Sequence, residues 1–268
     1  MKSILELIFS SEKRKKMLLL LQGGPREMTE LMEALDTTRQ VLLPQAKILA
    51  EKHLIRRTDD SYELTTLGRL VVDDMLPLIG TASLLDNGCD YMGTHYLDFI
   101  PPYLLKRLRE LESCRLIEVP LAQLFDIDER FFEEAKRTKF LYMVTAFMFP
   151  TFGKIFSELA ADDVEISVIV SKDLYEKLLH DNREELQDLL ENRNISFYSY
   201  PENFDFVSFS LTDHSILLRL LTQEGNYDNK KIMFSSDSAR EWGREFFEHY
   251  KTDSKEMSME KIPDRTND

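Results

Sequence analysis

Between residues 37 and 57 the chain places side chains with the donor chemistry that reads nucleic acid: Thr37, Thr38, Arg39, Gln40, Gln45, Lys47, Arg56 and Arg57. Arg and Gln carry forked polar groups that match the edges of guanine and adenine, while Lys, Arg and Thr suit phosphate oxygens. A second, sparser set lies downstream: Thr145, Ser171, Asp213, His214, Asp228, Ser235 and Ser236. These hydroxyls, carboxylates and one imidazole could hold a small polar ligand by hydrogen bonds. Neither set has the spacing of a metal site. Five histidines, at 53, 95, 180, 214 and 249, are scattered, and Cys89 and Cys114 are too few for a disulfide framework or a zinc cluster. The chain has no Gly-rich phosphate loop and no Gly-x-Ser-x-Gly elbow. These patterns argue for binding rather than catalysis, with no cofactor and no metal.

The first set needs elements to present it. Leu31, Met32 and Leu35 recur at helical spacing, which predicts a helix over Thr29–Leu35 with Thr29 as its N-cap. After a turn at Asp36, Thr37 and Gln40 fit a capping box for a second helix that runs to Lys52, with Leu42, Leu43, Ala46, Leu49 and Ala50 inward. Pro44 falls inside that helix, where it removes a hydrogen bond and costs about 3 kcal/mol. The expectation is therefore a helix that starts near Leu43, or a tighter first turn over Thr38–Leu43. Two alternating runs, Ile55-Arg56-Arg57 and Tyr62-Glu63-Leu64, flank the turn Asp59-Asp60-Ser61 as a hairpin. Two helices and a two-stranded wing are the pattern of a winged helix-turn-helix, which lays its second helix in the major groove.

Upstream, an amphipathic stretch from Ile4 to Leu21 is interrupted at Ser10-Ser11-Glu12 and carries the basic run Lys13–Lys16, expected as a solvated face or a phosphate contact. Downstream, Leu67, Leu70, Val71, Met75, Leu76, Leu78 and Ile79 mark a helix whose apolar face could pair with a second copy or pack within the chain. Pro101-Pro102 opens a helix over Tyr103–Leu111. From Leu116 short β-rich runs alternate with helical ones, which indicates an α/β layer with a largely parallel sheet, and then strands follow one another closely. Ala239–Tyr250 is an aromatic helix, and the charged stretch from Lys251 to Asp268 is expected to be frayed. The expected organisation is a reading head over 1–75, linker or dimerisation helices over 76–114, an α/β effector-sensing domain over 115–252 and a flexible tail over 253–268. Ligands of open sheets bind at the carboxyl ends of strands, which is where the second set is expected to lie.

The run Leu49-Ala50-Glu51-Lys52-His53-Leu54-Ile55 followed by Tyr62-Glu63-Leu64-Thr65-Thr66-Leu67-Gly68-Arg69 resembles the wing region of archaeal winged-helix regulators. Ile100-Pro101-Pro102-Tyr103-Leu104-Leu105, Gly225-Asn226-Tyr227-Asp228 and Trp242-Gly243 with Phe246-Phe247-Glu248-His249-Tyr250 extend that likeness. Together they resemble the methanogenesis-regulator type of archaeal transcription factor, in which a winged helix precedes a FilR-like effector domain. The resemblance implies an α+β and α/β chain whose C-terminal domain is similar to a degenerate phospholipase-D-like fold. Catalytic members of that superfamily carry His-x-Lys, whereas this chain reads His214-Ser215-Ile216, without the lysine.

The formal charge of −14 lies entirely beyond residue 75, because residues 1–75 hold 12 Lys or Arg and 12 Asp or Glu. A neutral head can bind DNA if its cations share one face, while the acidic remainder repels phosphate. No apolar run approaches the roughly 20 residues that span a bilayer, so the expected location is the cytoplasm, with no membrane partner. The expected function is a homodimeric, sequence-specific transcription regulator that binds double-stranded DNA and whose C-terminal domain senses a small-molecule effector or mediates assembly. An adaptor that uses the winged helix to bind protein is the second reading, and a phosphodiesterase the third.

Overall fold

Serine hydroxyls start the first two helices. The Oγ of Ser3 accepts the Glu6 N–H at 3.1 Å at the head of α1 (Ile4–Phe9), and Ser11 Oγ accepts that of Arg14 at 3.4 Å at the head of α2 (Glu12–Leu21). The computed structural model describes residues 3–111, 114–120 and 129–258, apart from the side chains of 87–90 and 129–130. The chain divides into two units, Met1–Gly80 and Thr81–Asp268.

In the first unit, β1 (Arg26–Glu27) leads directly into α3 (Met28–Ala34). Thr29 is therefore not the cap. The cap is Glu27, held extended by strand pairing, and its N–H donates to the Glu30 carboxylate at 2.9 Å. Helix α4 (Arg39–Glu51) is one continuous helix with Pro44 in its sixth position. Neither a late start nor a tight first turn is needed, because Pro44 and Gln40 both lie on the exposed face, where water can satisfy the carbonyl left without a donor. The Thr37–Gln40 capping box does not form: Thr38 is the N-cap and its side chain makes no capping bond. Strands β2 (Ile55–Thr58) and β3 (Ser61–Leu64) pair antiparallel about Asp59-Asp60, with Asp59 at φ 56°. β1 joins the other side of β3, giving the order β1-β3-β2. Leu31, Leu42, Leu49, Ile55, Tyr62 and Leu64 share one core.

Helix α5 (Thr66–Thr94) begins at a crowded joint. Thr65 Oγ1 accepts the Gly68 N–H at 3.0 Å while its hydroxyl donates to the His53 carbonyl. A Cβ on Gly68 would stand 1.9 Å from the Leu54 carbonyl oxygen, so the helix can approach the hairpin only with glycine there. The boundary between the units falls inside α5. Val72 and Met75 pack into the first core, and Leu84, Tyr91 and Met92 into the second.

The second unit continues with α6 (Pro102–Leu105), a 3-10 turn (Leu108–Glu110) in place of the rest of the expected helix, β4 (Arg115–Glu118), α7 (Glu129–Ala135) and β5 (Phe140–Thr145). Then follow α8 (Phe152–Ala161), β6 (Glu165–Val170), α9 (Lys172–Asp181), α10 (Arg183–Leu190) and β7 (Ile195–Ser199). β8 (Phe206–Leu211), β9 (Ile216–Leu220), β10 (Lys230–Phe234), α11 (Asp237–Thr252) and β11 (Lys255–Glu256) complete it. The sheet order is β11-β7-β6-β5-β8-β9-β10-β4. Among the described strands of this sheet only β5, β6 and β7 run parallel, so the expectation of a largely parallel sheet is corrected. Helices join β5 to β6 and β6 to β7, as parallel neighbours require, whereas β8, β9 and β10 follow one another through short connections and pair antiparallel. The stretch after Tyr250 is also more ordered than expected: β11 pairs with β7 and Met257 is buried, while residues 259–268 lie outside the described residues.

Helices α8, α9 and α10 cover one face of the sheet, where Phe156, Leu159, Val168 and Leu186 share a core. α11, α6 and the end of α5 cover the other, where Trp242, Phe246, Phe206 and Leu104 share another. Trp242 donates its indole N–H to the Leu104 carbonyl at 3.0 Å, and Tyr250 its hydroxyl to that of Phe99 at 2.9 Å. The Pro101-Pro102 motif and the aromatic helix are thus two sides of one packing contact.

Candidate nucleic-acid interface and ligand pocket

The first unit brings the start of α4 and the tip of the hairpin together through one carboxylate. Asp60 Oδ1 lies 3.2 Å from a guanidinium nitrogen of Arg39 and 3.1 Å from one of Arg57. Arg57 also donates to the Asp59 carbonyl at 2.6 Å. Arg56 faces Glu63 across the hairpin, 2.6 Å away, and that hydrogen bond holds the Glu63 carboxyl below its ordinary range. Every one of these ion pairs is exposed. Such pairs contribute about 1 kcal/mol or less each, so a phosphate can displace the carboxylates at small cost.

The other expected contacts separate. Thr38, Gln40 and Lys47 are exposed with Arg39 on the outward side of α4, whereas Thr37 is half-buried in the preceding turn. Gln45 is also half-buried, turned toward the start of α2, where Ser11 Oγ donates to its Oε1 at 3.4 Å. Val41 and Pro44, not anticipated as contacts, occupy the outward side instead. The basic run near the N-terminus is largely engaged within the chain: Lys13 Nζ donates to the Leu35 carbonyl at 2.6 Å, Arg14 to Ser10 Oγ at 3.1 Å, and Lys15 pairs with Glu12 at 2.6 Å.

In the second unit the expected ligand residues divide between opposite ends of the sheet. Thr145 and Ser171 end β5 and β6 side by side, the Ser171 N–H donating to the Thr145 carbonyl at 3.1 Å. Asp228 follows β9, which runs in the same direction as β5, and so lies at the same end. Asp213, His214 and Ser235 follow β8 and β10, which run the other way, and they lie at the far end. Several already serve the backbone. Ser171 caps α9 by accepting from Leu174 at 3.3 Å, and Ser236 caps α11 by accepting from Ala239 at 3.1 Å. Burial opposes ionisation of Asp213, yet hydrogen bonds from the Thr138 hydroxyl and the Lys139 N–H outweigh it and hold the carboxyl low. His214 is exposed, 3.8 Å from Asp213.

At the end that holds Thr145, the structure has cavities. One of about 290 Å³ is lined by Phe147, Phe149, Phe204, Arg219 and Tyr227 among others. A smaller one of about 80 Å³ lies beneath α7 and α8 and shares Arg219, Phe147 and Phe149 with it. Arg219 was not singled out from the sequence, although an arginine inside the apolar strand Ile216–Leu220 is the signal that marks it. Cys114 is half-buried and its thiol is pushed up by burial, away from thiolate chemistry, and the Cys89 side chain lies outside the described residues. Among the described residues no three His, Cys, Asp or Glu side chains gather as a metal site, and no helix is long and apolar enough to cross a membrane.

A chain of this class couples a small helical unit bearing a charged hairpin to an α/β unit with a pocket at one sheet end. Comparison with known proteins finds two matches: residues 3–84 match the HVO_A0261 N-terminal domain, and residues 124–253 match the middle domain of methanogenesis regulatory protein FilR1. These matches make the chain similar to the methanogenesis-regulator type. It is 24% identical over 253 residues to "Methanogenesis regulatory protein FilR1" of Methanothrix harundinacea (strain 6Ac), a match covering 92% of this chain and 56% of that protein. The chain thus spans little more than half the length of that relative. Two solved structures are more distant. TrmBL2, an archaeal chromatin protein, shares 11% identity at a TM-score of 0.43, covering 95% of this chain and 100% of its own. Phosphatidylserine synthase of Haemophilus influenzae Rd KW20 shares 14% at a TM-score of 0.38, covering 54% and 39%.

Proposed function

We propose that the chain is a sequence-specific DNA-binding transcription regulator. In this reading Met1–Gly80 is a winged helix-turn-helix, α4 enters the major groove, and the hairpin touches the phosphate backbone. The observation that carries the reading is the convergence of Arg39 and Arg57, from two different elements, on Asp60. The likeness to a protein named as a regulator supports it. The region 115–252 senses an effector, and two copies assemble through the exposed leucines of α5, Leu67, Leu70 and Leu78. A charge-neutral reading head needs two half-sites to reach useful affinity, which favours a dimer. The setting is the cytoplasm, and the role is regulatory rather than catalytic, since His214 has no lysine two residues on. The test is selection of bound duplexes from a random DNA pool at several salt concentrations. Absence of any enriched sequence at every concentration would sink the reading.

A protein-binding adaptor is the second reading, favoured by Val41 and Pro44 on the outward side of α4. Replacing Arg39, Arg56 and Arg57 together by Ala separates the two: a DNA reader loses affinity, whereas an adaptor with an apolar contact retains its partner.

A further inference from the structure

The outward side of α4 carries two residues that a solvated helix has no reason to keep. Leu42, Ala46 and Leu49 face the core, while Gln40, Val41, Pro44 and Lys47 are exposed. Val41 is the third residue of the helix, its N–H donating to the Thr38 carbonyl at 3.1 Å, and it is 48% exposed. A β-branched side chain loses χ1 freedom in a helix, and an interior proline removes the hydrogen bond to the carbonyl four residues back. Ala, Glu or Lys at either position would leave the core unchanged and make a more stable helix. Folding therefore explains neither residue. Val41 and Pro44 are three positions apart, and Gln40 and Pro44 four, the spacings of neighbours on a helix surface. The result is a small apolar patch beside an amide.

The surroundings of the patch decide what it fits. Arg39 flanks it at the start of the helix, where Asp60 joins it to Arg57 of the hairpin, and Lys47 is exposed one turn beyond Pro44. A stable protein interface buries about 800 Å² per partner around a core depleted of charge. Two short side chains among Arg39, Arg57 and Lys47 do not supply such a core. They do match a surface that sets single methyl groups between rows of phosphates. In the major groove each thymine shows a 5-methyl group, which distinguishes A·T from T·A and both from G·C.

We propose that Val41, with Pro44 beside it, selects thymine in the bound duplex through the 5-methyl group. The proposal rests on the reading of α4 as the helix that enters the major groove, and it names what that helix selects. The branched methyls of Val41 meet the thymine methyl, and the Pro44 ring helps to keep water from the contact. Gln40, next to Val41, has the forked amide that suits an adenine edge. Glu51, the acidic residue of the outward side, is the last residue of α4. Repulsion from phosphate is therefore least when the first two turns, which hold Val41 and Pro44, lie deepest. Residues 1–75 carry equal numbers of acids and bases, so an uncharged contact is a means of selecting sequence that does not depend on a basic field. It also differs from the phosphate contacts in its response to salt, which weakens the latter alone.

The test uses the whole chain and a duplex recovered by selection from a random pool. Each thymine of the bound site is replaced in turn by deoxyuridine, which removes only the 5-methyl group, and affinity is followed by fluorescence anisotropy at two salt concentrations. At one or more positions the replacement should weaken binding about fourfold, the contribution of one buried methyl-sized group, and by the same factor at both concentrations. Val41→Ala should weaken binding to the thymine duplex by a similar factor, and in that variant the difference between thymine and uracil should disappear. Alanine favours the helix, so the thermal midpoint should be unchanged or higher and unfolding does not account for the loss. Pro44→Ala should raise the midpoint and still weaken binding, a combination that a merely structural proline does not give. A selected site without thymine, a duplex bound equally well with uracil at every position, or a uracil effect that persists undiminished in Val41→Ala overturns the proposal and leaves the regulator reading in place. Absence of any enriched duplex removes both.

Discussion

Asp60 holds Arg39 and Arg57 at the price of lending a negative charge to the surface that would face DNA. Asp60→Asn should therefore raise affinity for duplexes of any sequence, while Arg39→Ala or Arg57→Ala should lower it and reduce the slope of log K against log salt by about 1 each. Fluorescence anisotropy across a salt series measures both. Asp213 gives a second prediction, on stability. Its folded carboxyl titrates below the ordinary aspartate range, so the unfolded chain binds the proton more readily. The contribution is complete above the ordinary value and disappears as the pH falls from there through the folded one. Asp213→Asn should cost about 1 kcal/mol near neutrality and progressively less as the pH falls below the ordinary aspartate range, checked by thermal midpoints along an acid pH series. Which donors point outward was only partly legible at this scale. Residue type marked Arg39, Arg56 and Arg57, but helix phase decides that Gln45 turns toward Ser11, and phase depends on how Pro44 is accommodated.

Several elements with a local signal were legible. β5 and β8 occupy the residues their alternation marks, and the pause at Ser10-Ser11 separates α1 from α2 through a serine cap. Elements that depend on a distant partner were not: β1 and β11 are two residues each, with no pattern of their own, and are defined only by β3 and β7. The direction of β8 is equally non-local, and it sends Asp213 and His214 to the end of the sheet opposite Thr145. The joint at the start of α5 is the most exacting local feature. Gly68→Ala should destabilise the first unit by about 3 kcal/mol or more, because the added methyl meets the Leu54 backbone rather than a side chain that can rotate away. Gly93→Ala, in the same helix with nothing within 4 Å, should be neutral or stabilising by up to about 1 kcal/mol. Chemical denaturation of the two variants compares them directly.

At the scale of the whole molecule, charge and apolar exposure are distributed unevenly. The excess acid lies beyond residue 75, and Leu67, Leu70 and Leu78, at helical spacing on α5, are 55%, 62% and 60% exposed. If that face joins two copies, Leu70→Glu should give a monomer by sedimentation velocity and lose cooperative DNA binding, while its thermal midpoint changes little because the side chain is outside the core. An unchanged dimer would remove α5 as the seam. The sheet carries a different lesson at its margins. Its two outermost strands, β4 and β11, are four and two residues long and hold Arg115, Glu118, Lys255 and Glu256. Short charged margins are poor templates for another chain, whereas β7, the next strand in, reads Ile195-Ser196-Phe197-Tyr198-Ser199. Anyone shortening this protein for crystallisation at the end of its last helix, Thr252, would strip away that two-residue guard and the buried Met257. Such a trimmed chain should associate as concentration rises, visible by light scattering, where the longer chain stays dispersed. A stretch that looks dispensable in the sequence is what keeps the sheet from recruiting its neighbours.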